Sequence, residues 1–228
     1  MVDFRTFDSR VTLAVALADF VSDALRSRLA ASGKCGLALS GGRTPTVFLD
    51  ELSRRDLRWA RVSIGLVDER CVPDTSPRSN AALVRRHLLW GRAGAAAFHP
   101  LFADAEDPAR AVVAAERDGR AWLPPDVVVL GMGDDGHAAS WFPGDPGLGG
   151  ALSPAGSPAY ALALAPDGER RITMTLGAVL AAGAIALHLE GAGKRAVLDR
   201  ALEPGPVEDM PVRAVLRSGR PLPLFWCP

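Results

Sequence analysis

Residues 127–144, VVVLGMGDDGHAASWFPG, concentrate side chains that can move a proton. Gly131, Gly133 and Gly136 spell G-x-G-x-x-G after an apolar run, the fingerprint of a dinucleotide-binding turn. Three features oppose that reading. Pro143 and Gly144 would break the long helix such a motif opens. Asp134 and Asp135 place carboxylates where pyrophosphate oxygens should sit. No strand about 20 residues further on ends in a clear ribose-binding acid. A metal reading fails too, because nothing near Asp135 and His137 completes a ligand spacing. What remains is a histidine in a glycine-rich turn beside carboxylates. That suits a general base, with Asp135 orienting the His137 imidazole and stabilising its protonated form. His87, His99 and His188 lie within apolar runs and read as structural.

Four other stretches carry unusual polar residues. SGGRTP at 40–45 sets Ser40, Gly41, Gly42 and Thr44 between a strand and a helix start. Exposed backbone N–H groups, two hydroxyls and a helix dipole make an anion site, and Arg43 can add charge. The alternative is an ordinary tight turn. DERCVP at 68–73 puts Asp68, Glu69 and Arg70 at a strand's carboxyl end, where they face a crevice or close a solvated salt-bridge cluster. RRITMT at 170–175 supplies Arg171, though its neighbour Arg170 could equally face inward. EGAGK at 190–194 ends in Lys194, one of only two lysines in the chain. A cation in the first turn of a helix opposes the dipole, and becomes sensible if an anion shares the site.

The elements that must position these loops alternate in period. Helical spacing runs over 11–32 and stops at Gly33. Strand patterns cover 35–39, 62–68, 126–133, 160–165, 184–191 and 223–227. Helices are expected from Thr44 as cap with Pro45 first, over 79–90 with Ser79 as cap, over 107–123 from Asp107 and Pro108, and over 193–203. Residues 172–183 begin as a strand and turn helical, 211–218 form a short helical turn, and 143–158 read as a long loop. The expected class is α/β: a Rossmann-like, doubly wound, mainly parallel sheet with helices on both faces. In such sheets ligands bind at the carboxyl ends of the strands, where all five stretches fall.

Composition narrows the rest. The chain has 228 residues, read as a single domain, with 26 basic and 26 acidic side chains. A zero net charge argues against a nucleic-acid partner. Cys35, Cys71 and Cys227 are far apart and odd in number, so they read as reduced thiols in a cytoplasmic protein. The charged N-terminus has no signal-peptide core, and no apolar run is long enough to span a membrane.

Taken together, LALSGGRTP, VDERCVP with SN at 79–80, GMGDDGHAASWFPG, RRITMT and GAGKRA resemble the 6-phosphogluconolactonase family. They occur in the family's order over residues 35 to about 200. The resemblance implies hydrolysis of 6-phospho-D-glucono-1,5-lactone to 6-phosphogluconate, the second step of the oxidative pentose phosphate pathway. It implies no cofactor, no metal and no protein partner. It implies His137 as catalytic base, with the 40–44 turn (Ser40, Gly41, Gly42, Arg43, Thr44), Arg171 and Lys194 holding the sugar phosphate, and Asp68 and Arg70 lining the site. Two positions depart from the pattern. Ala138 stands where the family often has Thr, and Trp141 where it often has Leu. The related deaminases resemble the same loop but continue Asn-Glu-Pro where this chain has Trp-Phe-Pro, which favours the lactonase. A deaminase or isomerase on the same scaffold is the alternative reading, and a non-catalytic sugar-phosphate sensor is another.

Overall fold

The computed structural model describes residues 2–102, 107–153 and 158–228. The chain opens with β1 (Val2–Thr6), α1 (Arg10–Ser32), β2 (Cys35–Leu39), α2 (Thr46–Ser53), β3 (Val62–Leu66) and β4 (Asp68–Arg70). It continues with α3 (Asn80–His87), β5 (Ala97–His99), α4 (Pro108–Gly119), β6 (Val127–Leu130) and α5 (Leu148–Ala151). Then come β7 (Tyr160–Leu164), β8 (Arg170–Met174), α6 (Leu176–Leu180), β9 (Ala184–Glu190), α7 (Ala192–Leu202), α8 (Arg213–Leu216) and β10 (Leu222–Cys227).

Seven strands form one sheet in the order β1-β10-β9-β6-β2-β3-β5, every pair parallel. This is the α/β class the periodicity predicts. Its interior strands are buried throughout: β2 reads CGLAL and β6 reads VVVL. Strands covered on both faces lose the apolar–polar alternation of a half-exposed sheet. From β2 the chain builds outward to β3 and β5; from β6 it builds the other way, to β9. The switch point therefore lies between β2 and β6, where a crevice opens beyond the strand ends.

Local chemistry explains the helix boundaries. Ser9 accepts from the Thr12 N–H and closes a capping box at the start of α1. Gly33, at φ 74°, donates its N–H to the Leu29 carbonyl and ends it. Leu13, Leu17, Val21, Leu25 and Leu29 line the buried stripe between. Ser79 and Asp107 cap α3 and α4 as their sequences predict.

Three expectations need correction, and two strands had none. The 62–68 strand is two: β3 stays in the large sheet, while β4 leaves to pair antiparallel with β8, which also pairs with β7. Thr44 caps nothing, since Pro45 holds the N-cap position of α2 with no side-chain bond. β1 and β5 carry no clear strand pattern; both are edge strands, and β1 is mostly exposed. The loop expected over 143–158 contains α5, while its residues 154–157 lie outside the described residues. No helix among the described residues is long and apolar enough to cross a membrane.

Candidate active site

Beyond the ends of β2, β6 and β9 lies a cavity of about 510 Å³. It gathers Ser40, Gly41, Gly42, Arg43, Thr44, Asp68, Arg70, His137, Arg171 and Lys194. The fold thus brings every predicted site residue to one place except Asp135, which stands behind His137.

The 131–144 turn is shaped around its imidazole. The Gly133 N–H donates to the His137 carbonyl at 2.8 Å, closing the turn. A methyl group on Gly133 would lie 2.1 Å from the His137 ring, so the ring packs directly on bare backbone. Gly136, at φ 83°, faces Met210. Asp135 accepts from the His137 backbone N–H at 3.1 Å and from its Nδ1 at 2.6 Å. The carboxylate therefore holds the proton on Nδ1 and leaves Nε2 with a lone pair. Phe142 supports the ring, centroid to centroid 4.6 Å. Burial raises the Asp135 carboxyl, but hydrogen bonds and charge from His137 outweigh it and bring it down to about 2. Asp135 is thus an anion at any ordinary pH.

The same turn anchors the opposite wall. Ala139 adopts φ 51°, a left-handed conformation that costs an L-residue about 1–2 kcal/mol. Next to it, buried Ser140 donates to Asp68 at 2.6 Å, and its N–H donates to Thr173. The two departures from the family pattern are both buried. Trp141 donates its indole N–H to the Met174 carbonyl at 2.8 Å, tying the turn to the end of β8.

Asp68 and Arg70 face the cavity because they alternate on β4, whereas Glu69 points the other way. Glu69 accepts from the Arg70, Asn80 and Ala81 N–H groups and the Ser79 hydroxyl. It binds the start of α3 and takes no part in the crevice. Burial raises its carboxyl against those bonds. Alternation also separates the two neighbouring arginines. Arg171 lies opposite Arg70 in the β4–β8 register and lines the cavity, while Arg170 is exposed. Arg171 reaches Glu169 at 2.8 Å and Asp68 at 3.8 Å. Burial, then the like charge of Arg171, push the Arg70 guanidinium below its ordinary value.

Two polar atoms stand out. Ser40 Oγ and Arg171 Nε are buried and make no hydrogen bond within the described residues. Buried polar groups ordinarily have partners. Lys194, which lines the cavity, pairs with Asp134 at 2.7 Å. Among the described residues no three His, Cys, Asp or Glu side chains cluster as a metal site.

Sequence reasoning assigned Asn80 no site role and read His188 as structural. Asn80 accepts from Arg70 at 2.6 Å and donates to the Asp68 carbonyl at 2.8 Å. Its side chain fills the space a methyl on Gly41 would need, 1.9 Å away. The SN pair at 79–80 is the available signal: it marks the helix cap and belongs to the family resemblance, but neither assigns Asn80 a place in the site. His188 is buried, as a structural residue would be, and it also lines the cavity. Its signal was its neighbour two residues on, Glu190.

Comparison with known proteins bears on this arrangement. The family described as glucosamine-6-phosphate isomerases/6-phosphogluconolactonase matches residues 8–225. A 6-phosphogluconolactonase of Mesorhizobium japonicum is 47% identical over 234 residues, covering 99% of this chain and 95% of the relative. The crystal structure of a 6-phosphogluconolactonase from Shewanella baltica superposes with a TM-score of 0.96 at 36% identity, covering 100% of this chain and 98% of that one. A monomeric glucosamine-6-phosphate deaminase shares the fold, with a TM-score of 0.82 at 16% identity over 99% of this chain and 97% of that one.

Proposed function

The chain belongs to the family of glucosamine-6-phosphate isomerases and 6-phosphogluconolactonases, and we infer that it hydrolyses 6-phospho-D-glucono-1,5-lactone to 6-phosphogluconate with His137 as general base. The protein is a carboxylic ester hydrolase of the pentose phosphate pathway. One observation carries the assignment of roles: an imidazole oriented by a carboxylate shares a cavity with a glycine-rich anion turn and four cationic side chains.

The substrate is a cyclic ester with a remote phosphate. The phosphate binds at the 40–44 turn, where Ser40 Oγ supplies a buried hydroxyl, and Lys194 closes over it. Arg171 is the third phosphate contact, through its buried Nε. Binding energy from this non-reacting end orients the carbonyl. His137 Nε2 takes a proton from water as the oxygen attacks C1. The imidazolium, stabilised by Asp135, returns the proton to the ring oxygen as the C1–O bond breaks. Arg70 stabilises the tetrahedral oxyanion. Asn80 positions it, and Asp68 hydrogen-bonds the sugar hydroxyls. No cofactor and no metal enter the reaction. Residues 1–228 act as one domain in the cytoplasm, and the resemblance implies no protein partner.

The residues after Ser140 are Trp141 and Phe142, so the acid that the deaminase pattern carries there is absent. The test is turnover of freshly made 6-phosphogluconolactone beside the unphosphorylated lactone. Preference for the phosphorylated ester is expected. Equal kcat/KM on both would overturn the phosphate anchor, and ammonia release from glucosamine 6-phosphate would overturn the lactonase reading.

A further inference from the structure

A second imidazole–carboxylate pair lines the same cavity. His188 and Glu190 are two residues apart on β9, so both side chains fall on one face of the sheet. His188 Nε2 meets Glu190 Oε1 at 3.0 Å, and the other carboxylate oxygen pairs with Arg10 of α1. His188 Nδ1 has no hydrogen-bond partner among the described residues. The ring stands edge-on to Phe48, 6.0 Å between centroids, in the helix that follows the 40–44 turn. Four residues beyond Glu190 lies Lys194. His188 therefore sits at the phosphate end of the cavity.

The charges there do not balance a phosphate ester, which carries about −1.5 to −2 at pH 7. Arg10 is matched by Glu190, Lys194 by Asp134 and Arg171 by Glu169. Arg43 alone in this group has no carboxylate partner among the described residues. The remaining titratable neighbour is Cys227 of β10, beside Glu190 and buried, with its thiol pushed up by that burial. It stays neutral. Histidine is the side chain whose unperturbed charge change falls between about pH 5 and 8.

We propose that His188 is a phosphate-binding residue that takes up a proton from solvent when the phosphate binds, its Nδ1–H then donating to a phosphate oxygen. This rests on placing the phosphate at the 40–44 turn. Glu190 is built for the task. Burial raises its carboxyl, yet the hydrogen bonds and charges of His188 and Arg10 bring it below the ordinary value. An anion held on Nε2–H favours the imidazolium. With His188 neutral, Nδ1 would present a lone pair to the phosphate and repel it.

The test is calorimetric titration with 6-phosphogluconate at about pH 7.5, where a phosphate ester is nearly all dianion. Running it in buffers of different ionisation enthalpy counts the protons taken up. The wild-type protein should bind with net uptake. His188→Gln keeps a donor for Glu190 but cannot titrate; its uptake should fall and its affinity weaken about tenfold. Unchanged uptake in that variant would overturn the proposal while leaving the phosphate site standing. No binding by the wild-type protein would overturn both. Should melting curves show His188→Gln unfolded, Glu190→Gln decides: uptake should fall there too, and undiminished uptake refutes the role of the pair.

Discussion

The two imidazole–carboxylate pairs of the cavity are built in opposite ways. His137 and Asp135 occupy a glycine-rich turn, their side chains 29% and 40% exposed. His188 and Glu190 occupy an interior strand, 3% and 8% exposed. In the turn, spacing of two works because Asp135 also accepts the His137 backbone N–H, as short polar side chains do in tight turns. On the strand it works because alternate residues share a face. The difference fits the two tasks proposed for them. A turn presents its ring to water and substrate with one nitrogen open, which suits proton transfer. A buried strand holds its ring against packed neighbours and a fixed counter-charge, which suits holding charge against an anion.

The largest expected effect breaks the comparison at its first member. His137→Ala should lower kcat by about 10²–10⁴ with little change in affinity for 6-phosphogluconate. Steady-state kinetics beside a binding titration separate the two quantities. Turnover within a few-fold of wild type would move the base elsewhere, with His188 the next imidazole in the cavity. Gly133→Ala sharpens the claim that the turn sets the ring. The added methyl would sit 2.1 Å from it, so the imidazole must shift. A displacement of this kind costs about 10²-fold in kcat with phosphate binding retained. Normal kcat would mean that bare backbone at Gly133 does not place the base.

The smallest effect concerns stability. The folded Asp135 carboxyl titrates near 2, below its unfolded value of about 3.9. Its contribution is therefore complete above about pH 4 and lost as pH falls through about 2. Because the pair is partly exposed, solvent screens it and the contribution is small. Denaturant melts should show wild type more stable than Asp135→Asn at about pH 4, with the difference shrinking as pH falls toward 2. A gap that persists at pH 2 would assign Asp135 a packing role instead.

The chain reads unevenly as sequence, and the reasons are physical. The 131–144 turn was legible because everything it needs is local: Gly133 and Gly136 make room, and Asp135 lies two residues from His137. The helix boundaries at Ser79, Asp107 and Gly33 were legible for the same reason. β1 and β5 were not, since edge strands lack the apolar run of an interior strand. Arg170 and Arg171 could not be told apart until β8 paired with β4 and set which residues of each strand share a face. Glu69 could not be assigned because its partners, Ser79, Asn80 and Ala81, belong to a helix ten residues on.

By itself, then, the sequence determined the α/β class, the five polar loops and the carboxylate-held histidine, because each depends on neighbours along the chain. The tertiary structure alone decided which face each strand residue presents, that Asn80 bridges Arg70 and Asp68, and that His188 belongs to the cavity. Those outcomes depend on strand register and on the crevice at the β2–β6 switch point, which arise only when segments distant in sequence pack together.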